Sequence, residues 1–172
     1  AMKNNLTLQV LSSFTNQQGT YVVNENELIE NEIVSGVSYS KNESKITISG
    51  IPDKPGISAL IFGLMASNNI NVDMIVQNIS QDGINANITF TVPNNELNEA
   101  KKIIEDKYNE LNYSNLSSDS DIAKISVVGM GMMSQSGVAE KMFTTLAKNK
   151  INIQAISTSE IKISVLIKKI YT

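Results

Sequence analysis

The chain has 172 residues, a formal net charge of -3, 41% hydrophobic and 18% charged residues, which is enough apolar content for one or two cored domains. It contains no Cys, His, Trp or Arg, so all 14 basic residues are Lys. This inventory excludes thiol and imidazole chemistry, disulfides, Cys/His zinc sites and bidentate arginine clamps.

What remains for catalysis is Lys and carboxylates, and the balance shifts toward a binding or regulatory module. The lysines are dispersed, adjacent only at Lys101-Lys102 and Lys168-Lys169, and the aromatics do not interleave with a basic stripe. A nucleic-acid partner is therefore not expected. No apolar stretch approaches the roughly 20 residues of a membrane span, and no signal-peptide pattern opens the chain. A cytoplasmic placement is expected, with no membrane partner. Ala1-Met2 reads as a cloning scar or a start.

In chain order, Leu6, Leu8 and Val10 alternate with polar residues, and Thr20 to Val23 is a second short strand candidate. Asn, Asp and Glu dominate from Asn24 to Glu32, so residues 1–32 read as a tail or linker with residual strand character. Ile33 to Tyr39 is an apolar run predicted as a strand. Ile46 and Ile48 alternate with Thr47 and Ser49, the pattern of a half-buried strand. Pro55-Gly56 then opens a helix, since Pro suits a first helical turn. Ile57, Leu60, Ile61, Leu64 and Met65 make one apolar stripe on it, and Asn68-Asn69 ends it. Val72 to Ile79 and Ile84 to Val92 are two strands joined at Gln81-Asp82-Gly83, an Asp-Gly hairpin signal. Beyond Pro93, a second helix places Leu97, Ala100, Ile104, Tyr108 and Leu111 on one face, and Tyr113 to Leu116 closes the unit as a short strand.

This unit, βαββαβ over roughly Lys45 to Ser118, then recurs. Gly56 matches Gly137, 81 residues on, and at the same offset Phe62 meets Phe143, Ala66 meets Ala147, and Asn68 meets Asn149. Ile70-Asn71-Val72 meets Ile151-Asn152-Ile153, while the loop after the first strand is two residues longer in the second copy. The helix of the second copy carries Ala139, Met142, Phe143, Leu146 and Ala147, followed by strands at Ile151 to Ser157 and Ile161 to Ile167. The second copy lacks a final helix and strand. Ile33 to Tyr39 is a candidate for the missing edge, which would make the first copy an insertion within the second.

The loops ending at Gly56 and Gly137 are candidate sites, because each leads into a helix N-terminus with unpaired N–H groups and partial positive charge. A small carboxylate could bind there without arginine. The plain alternative is that the glycines only turn the chain and let helix pack on sheet. Asp53 is either a partner for an ammonium group or a local turn or cap residue. Gln77, Asn78, Ser80, Thr158 and Ser159 put polar groups on otherwise apolar strands, for ligand recognition or for plain solvation. Glu105-Asp106 and Asp119/Asp121 read as solvated positions. Met130, Met132 and Met133 read as flexible packing, and Gly129-Met130-Gly131 lacks the lysine and spacing of a phosphate loop.

ITISGIPDKPG, NINVDMIVQNIS, KISVVGMGM and NINIQAISTSEIKISVLI, in that order, resemble the regulatory region of aspartokinase, which holds two ACT domains. The resemblance covers about Ile33 to Ile167, and LQVLSSFTNQQGTYV resembles the end of the kinase portion and its linker. It implies an α+β fold of two ferredoxin-like ACT domains, residues 45–118 and residues 33–44 plus 119–172, each an antiparallel sheet with helices on one face. It also implies that the kinase domain is absent, so that this chain is not an enzyme. ATP and Mg would belong only to that missing domain, and no metal site is expected.

Also implied is a module that binds lysine and/or threonine at ACT–ACT junctions and feedback-inhibits phosphorylation of aspartate in lysine, threonine and methionine biosynthesis. Its expected partners are that effector and either a second copy or a kinase-bearing subunit. The effector residues carried over are Asp53, Gly56, Ser58, Asn71, Val72, Asp73, Met74, Gln77, Ser80 and Thr89. In the second copy they are Gln135, Gly137, Val138, Asn152, Ile153 and Thr158. The PDKPG loop has no Asp counterpart in MMSQSG, so the two loops are not expected to be equivalent. A lysine effector needs a partner for its second ammonium, for which Asp73 and Glu160 are candidates. Two other readings stand beside this one: an ACT dimerisation module without ligand, and a freestanding enzyme of ferredoxin-like fold that would need a strongly perturbed Lys.

Overall fold

The computed structural model describes residues 1–4, 6–23, 33–80, 83–129 and 137–172. Strand β1 (Leu8–Val10) pairs antiparallel with β2 (Thr20–Val22), all six residues exposed. The expected tail thus carries a small two-stranded ribbon. The rest of the described chain builds two modules, each around a four-stranded antiparallel sheet with helix on one face.

The first module runs through β4 (Ser44–Pro52), α1 (Ile57–Ser67), β5 (Asp73–Ile79), β6 (Asn85–Val92), α2 (Leu97–Asp106), α3 (Tyr108–Leu111) and β7 (Asn115–Asp119). Its sheet order is β5-β6-β4-β7. Alternation puts Ile46 and Ile48 of β4, and Ile88 and Phe90 of β6, on the face covered by α1 and α2, where all four are fully buried. Ile57, Ile61 and Met65 bury the stripe of α1, and Ala100 and Ile104 that of α2. The Phe62 ring meets the Phe90 ring edge-on, centroids 5.5 Å apart. Each such fully buried side chain stabilises the fold by about 1.5–3 kcal/mol relative to exposure.

Three expectations are corrected here. Pro55 lies outside the helix, because Gly56 at φ 96 turns the chain first and α1 begins at Ile57. The second helix is not continuous: it ends at Asp106, a short α3 follows, and Tyr108 is half exposed with its ring edge against Tyr113. The closing strand is Asn115–Asp119, not Tyr113 to Leu116. Asn112 in the left-handed region (φ 48) ends α3, and Tyr113 turns into the core.

The second module contains β3 (Gly36–Ser40), β8 (Ile122–Val128), α4 (Val138–Lys148), β9 (Ala155–Thr158) and β10 (Lys162–Lys168), in sheet order β3-β8-β10-β9. Strand β3 pairs along β8 from Gly36 opposite Val128 to Ser40 opposite Lys124. It holds the edge position that β7 holds in the first sheet, so the chain enters the second sheet, leaves to build the first module, and returns. Among the described residues this sheet has one covering helix. Ile151 and Ile153, expected within a strand, instead pack beside Leu146 of α4, and β9 starts only at Ala155. Lys150 at φ 57 makes that turn, as Asn69 at φ 56 does after α1.

Strand β10 is buried on both faces. Val165 and Ile167 pack toward Leu146 of α4, while Leu166 on the opposite face meets Ile122 and Met74 of β5. Met74 is thus an apolar peg from the first module into the bare face of the second sheet. Beside it Ser126 and Ser164, both buried, share a hydroxyl–hydroxyl bond of 2.8 Å.

Candidate functional site at the junction of the modules

Two polar ties flank the Met74 contact. Lys124 of β8 reaches Asp73 of β5 at 2.6 Å and Glu43, just before β4, at 2.5 Å. Lys45 of β4 donates to the Gln154 side-chain oxygen, and Gln154 donates to Asp119 at 3.5 Å. These ties are repeat-related. Lys45 leads KITIS as Lys124 leads KISVV, and Asp73 stands 81 residues before Gln154, the offset of the repeat. The junction is therefore approximately two-fold, with one change: a charged pair on one side is a neutral amide contact on the other.

The hydrogen bond from Lys124 holds the Asp73 carboxyl below its ordinary value, opposing partial burial, and the backbone N–H of Met74 at 2.8 Å and the charge of Lys162 act in the same direction. For Lys124, burial disfavours the cation, but hydrogen bonds and charge from Asp73 and Glu43 outweigh it and raise the pKa.

Against Asp73 lies a cavity of about 120 Å³, lined by Asp73, Met74, Ser157, Thr158, Ser159, Lys162 and Ser164. That is several times the space one water needs. It presents a carboxylate, an ammonium group and a set of hydroxyls within one small recess. Such a set is complementary to a zwitterion, whose ammonium needs an acceptor and whose carboxylate needs donors.

Of the residues expected from sequence, the structure brings Asp73, Met74 and Thr158 together here. Ser58 and Gln77 form a separate exposed pair, Ser58 Oγ donating to Gln77 at 2.9 Å. Thr89 shares a hydroxyl–hydroxyl bond of 2.9 Å with Thr47 on the sheet face opposite the helices. Ser80 closes the β5–β6 hairpin through its N–H to the Asn85 carbonyl, 2.7 Å. Asp53 is exposed, its N–H bonded to the Ile84 carbonyl at 2.9 Å. Gly56 and Gly137 precede α1 and α4 at φ 96 and 106, in the left-handed region that favours glycine. A Cβ at either would meet nothing within 4 Å, so backbone conformation and not close packing demands the glycine. Among the described residues neither helix N-terminus has a side-chain cap.

The N–H of Asn71 is engaged by the Glu96 carboxylate at 3.2 Å, while Val72 and Ile153 pack into their respective cores. Asn152 and Glu160 are exposed. Val138 lines a separate apolar groove of about 340 Å³ with Val34, Val37, Met142 and Leu146 among its walls. Gln135, Met130, Met132, Met133 and the Gln81-Asp82 turn lie outside the described residues. Sequence reasoning missed Lys124, Glu43, Lys162, Ser157 and Ser164. For Lys124 a signal existed, since each repeat carries Lys followed by Ile early in its first strand.

The ACT domain family model matches residues 40–108 and 125–172, one stretch in each module. The chain belongs to the ACT domain family, in the tandem arrangement of a regulatory region. It is 46% identical over 172 residues to an aspartate kinase of Pseudomonas fluorescens, covering 99% of this chain and 41% of that protein. An aspartokinase of Helicobacter pylori is 44% identical over 171 residues, covering 97% and 42%. The chain spans about two fifths of the length of these curated relatives. It covers far more of the regulatory subunit of aspartate kinase from Thermus thermophilus in its ligand-free form: 91% of that chain and 81% of this one, at 37% identity and TM-score 0.75. A crystal structure of aspartokinase alpha and beta subunits gives 43% identity and TM-score 0.74 over 80% of this chain and 90% of that one. The part shared with aspartokinases is thus the part that also matches a regulatory subunit. Among the described residues no helix is long and apolar enough to cross a membrane, and no group of three or more acidic side chains could hold a metal ion.

Proposed function

We propose that this chain is the amino-acid sensor of a cytoplasmic aspartokinase, binding lysine and/or threonine so as to feedback-inhibit phosphorylation of aspartate. The observation that carries the reading is the junction cavity, where Asp73, Lys162 and serine hydroxyls form a zwitterion-complementary set without arginine. Asp73 accepts the effector's α-ammonium; Lys162 and the hydroxyls of Ser157, Ser159 and Ser164 donate to its carboxylate. Because the set draws on both modules, occupancy favours one relative orientation of the two, and a kinase-bearing partner reads that orientation as an inactive state. The division into residues 45–118 and residues 33–44 plus 119–172 is part of this reading. So is a role in complex with a kinase-bearing subunit, to which ATP and Mg belong.

Isothermal titration of the chain with each common amino acid tests this. Saturable binding of lysine or threonine is expected, and absence of binding by every amino acid would refute the sensor. A second reading, dimerisation without ligand, is favoured by Ile75 and Ile79, which are 50% and 60% exposed on edge strand β5. Sedimentation with and without amino acid separates the two: a dimer indifferent to ligand supports the second.

A further inference from the structure

We propose that the Lys124 ammonium is a built-in competitor for the effector's ammonium at Asp73, so that effector binding releases a tie between the two modules. The inference rests on the junction cavity being the effector site and adds how occupancy there is transmitted.

Both carboxylate oxygens of Asp73 already have a partner. One accepts the Met74 N–H at 2.8 Å, and the other takes Lys124 at 2.6 Å. Lys162, on the wall of the same cavity, adds a second positive charge acting on this carboxylate. An effector ammonium that joins them places three cations around one anion, which like-charge repulsion opposes. Lys124 has somewhere else to go. Glu43, 8% exposed, already holds it at 2.5 Å and belongs to the connector between β3 and β4. Its release therefore strands no buried charge, the condition under which a partly buried ion pair can be broken without a large penalty.

The charges balance after the exchange. Lys124 keeps Glu43, the effector ammonium takes Asp73, and the effector carboxylate takes Lys162. The repeat-related contact on the other side behaves differently. Lys45 meets the neutral Gln154, which has no charge to offer an incoming ammonium. Displacement is thus confined to one side of the junction: the Asp73–Lys124 tie opens while the Lys45–Gln154 contact and the Met74 peg remain as the pivot. A two-fold junction with a carboxylate at the Gln154 position as well would loosen as a whole. The single substitution of amide for acid gives the motion a direction.

Isothermal titration of lysine and threonine into the full chain and two variants tests the exchange. Lys124→Met removes the competitor, and the expected result is binding about threefold to fivefold tighter, the range for a partly exposed ion pair that no longer needs breaking. Glu43→Gln removes the refuge and leaves Asp73 as the anionic partner of Lys124, so binding is expected to weaken by a similar factor. The 15N resonance of the Lys124 side chain, assigned by its loss in Lys124→Met, should shift as wild-type chain is saturated. If Lys124→Met does not fold, Lys124→Arg supplies the assignment, and the opposite-signed effect of Glu43→Gln and the resonance shift still decide. Wild-type affinity in Glu43→Gln with an unmoved Lys124 resonance at saturation overturns the exchange while leaving the cavity as a site. No binding to wild-type chain refutes the site and the exchange together.

Discussion

The two modules share one strand order but differ in cover and in charge. The first sheet is sealed by α1 and α2, and its inner face is a continuous core from Ile46 to Leu111. Among the described residues the second sheet carries α4 alone on that face, beside an open apolar groove, and buries its other face against Met74. The first module is thus packed as an independent unit, whereas part of the second module's burial comes from its neighbour. That difference makes the junction the place where burial and charge are shared between the modules.

Truncations measure the contrast most strongly. Phe90→Ala removes a fully buried ring from the first core and should destabilise the chain by about 3–5 kcal/mol in chemical denaturation. Leu146→Ala sits at the rim of the open groove and should cost about 2 kcal/mol, the low end for such truncations. Equal losses would erase the distinction between a sealed and an open core.

Acid should reveal the charged side of the junction. Asp73 has a folded-state pKa below the ordinary 3.8, so its stabilising contribution is present above that value and is lost as pH falls through the lowered one. Asp73→Asn should therefore narrow the drop in Tm between pH 7 and pH 3 relative to wild type. For Lys124 the pKa is raised above 10.5, so its contribution holds below that pH and disappears as pH rises through the raised value. Gln154→Glu and Gln154→Leu, on the neutral side, give the control: Gln154→Leu should leave the acid limb unchanged.

The smallest effect concerns Thr91 of β6, whose buried hydroxyl has no hydrogen-bond partner among the described residues. Thr91→Val removes an unsatisfied group at nearly constant shape, and a gain of up to about 1 kcal/mol is expected. A loss of that size would mean the hydroxyl has a partner in solution.

Much of the fold was legible because local chemistry and packing agree. The Ile46–Ile48 alternation, the stripe Ile57, Ile61, Met65 and the 81-residue offset each impose one arrangement, and the structure adopts it. Where local signals were weak the boundaries moved. Tyr108 fits the helical period of Leu97, Ala100 and Ile104, yet the chain breaks at Lys107 because the following turn must bring Leu111 and Tyr113 into the core. Ile151 and Ile153 alternate like a strand but serve α4. The site was legible only in part. Asp73, Met74 and Thr158 lie within the motifs that carry the family resemblance, and so does Lys124, but Lys124 of β8 and Glu43 of the β3–β4 connector are far apart in sequence, and their meeting is a property of the tertiary junction. Asp53, Ser58 and Gln77 all belong to the first module, and none of them lines the cavity.

The central claim is that Asp73 receives the ammonium of an amino-acid effector at the junction. Isothermal titration of lysine and threonine into wild-type and Asp73→Asn chains, both checked for folding by circular dichroism, tests it most directly. The account predicts saturable binding to wild type and a loss of about tenfold or more in the Asn variant, the order expected for a hydrogen bond to a charged group. Binding of equal strength to both chains would contradict it.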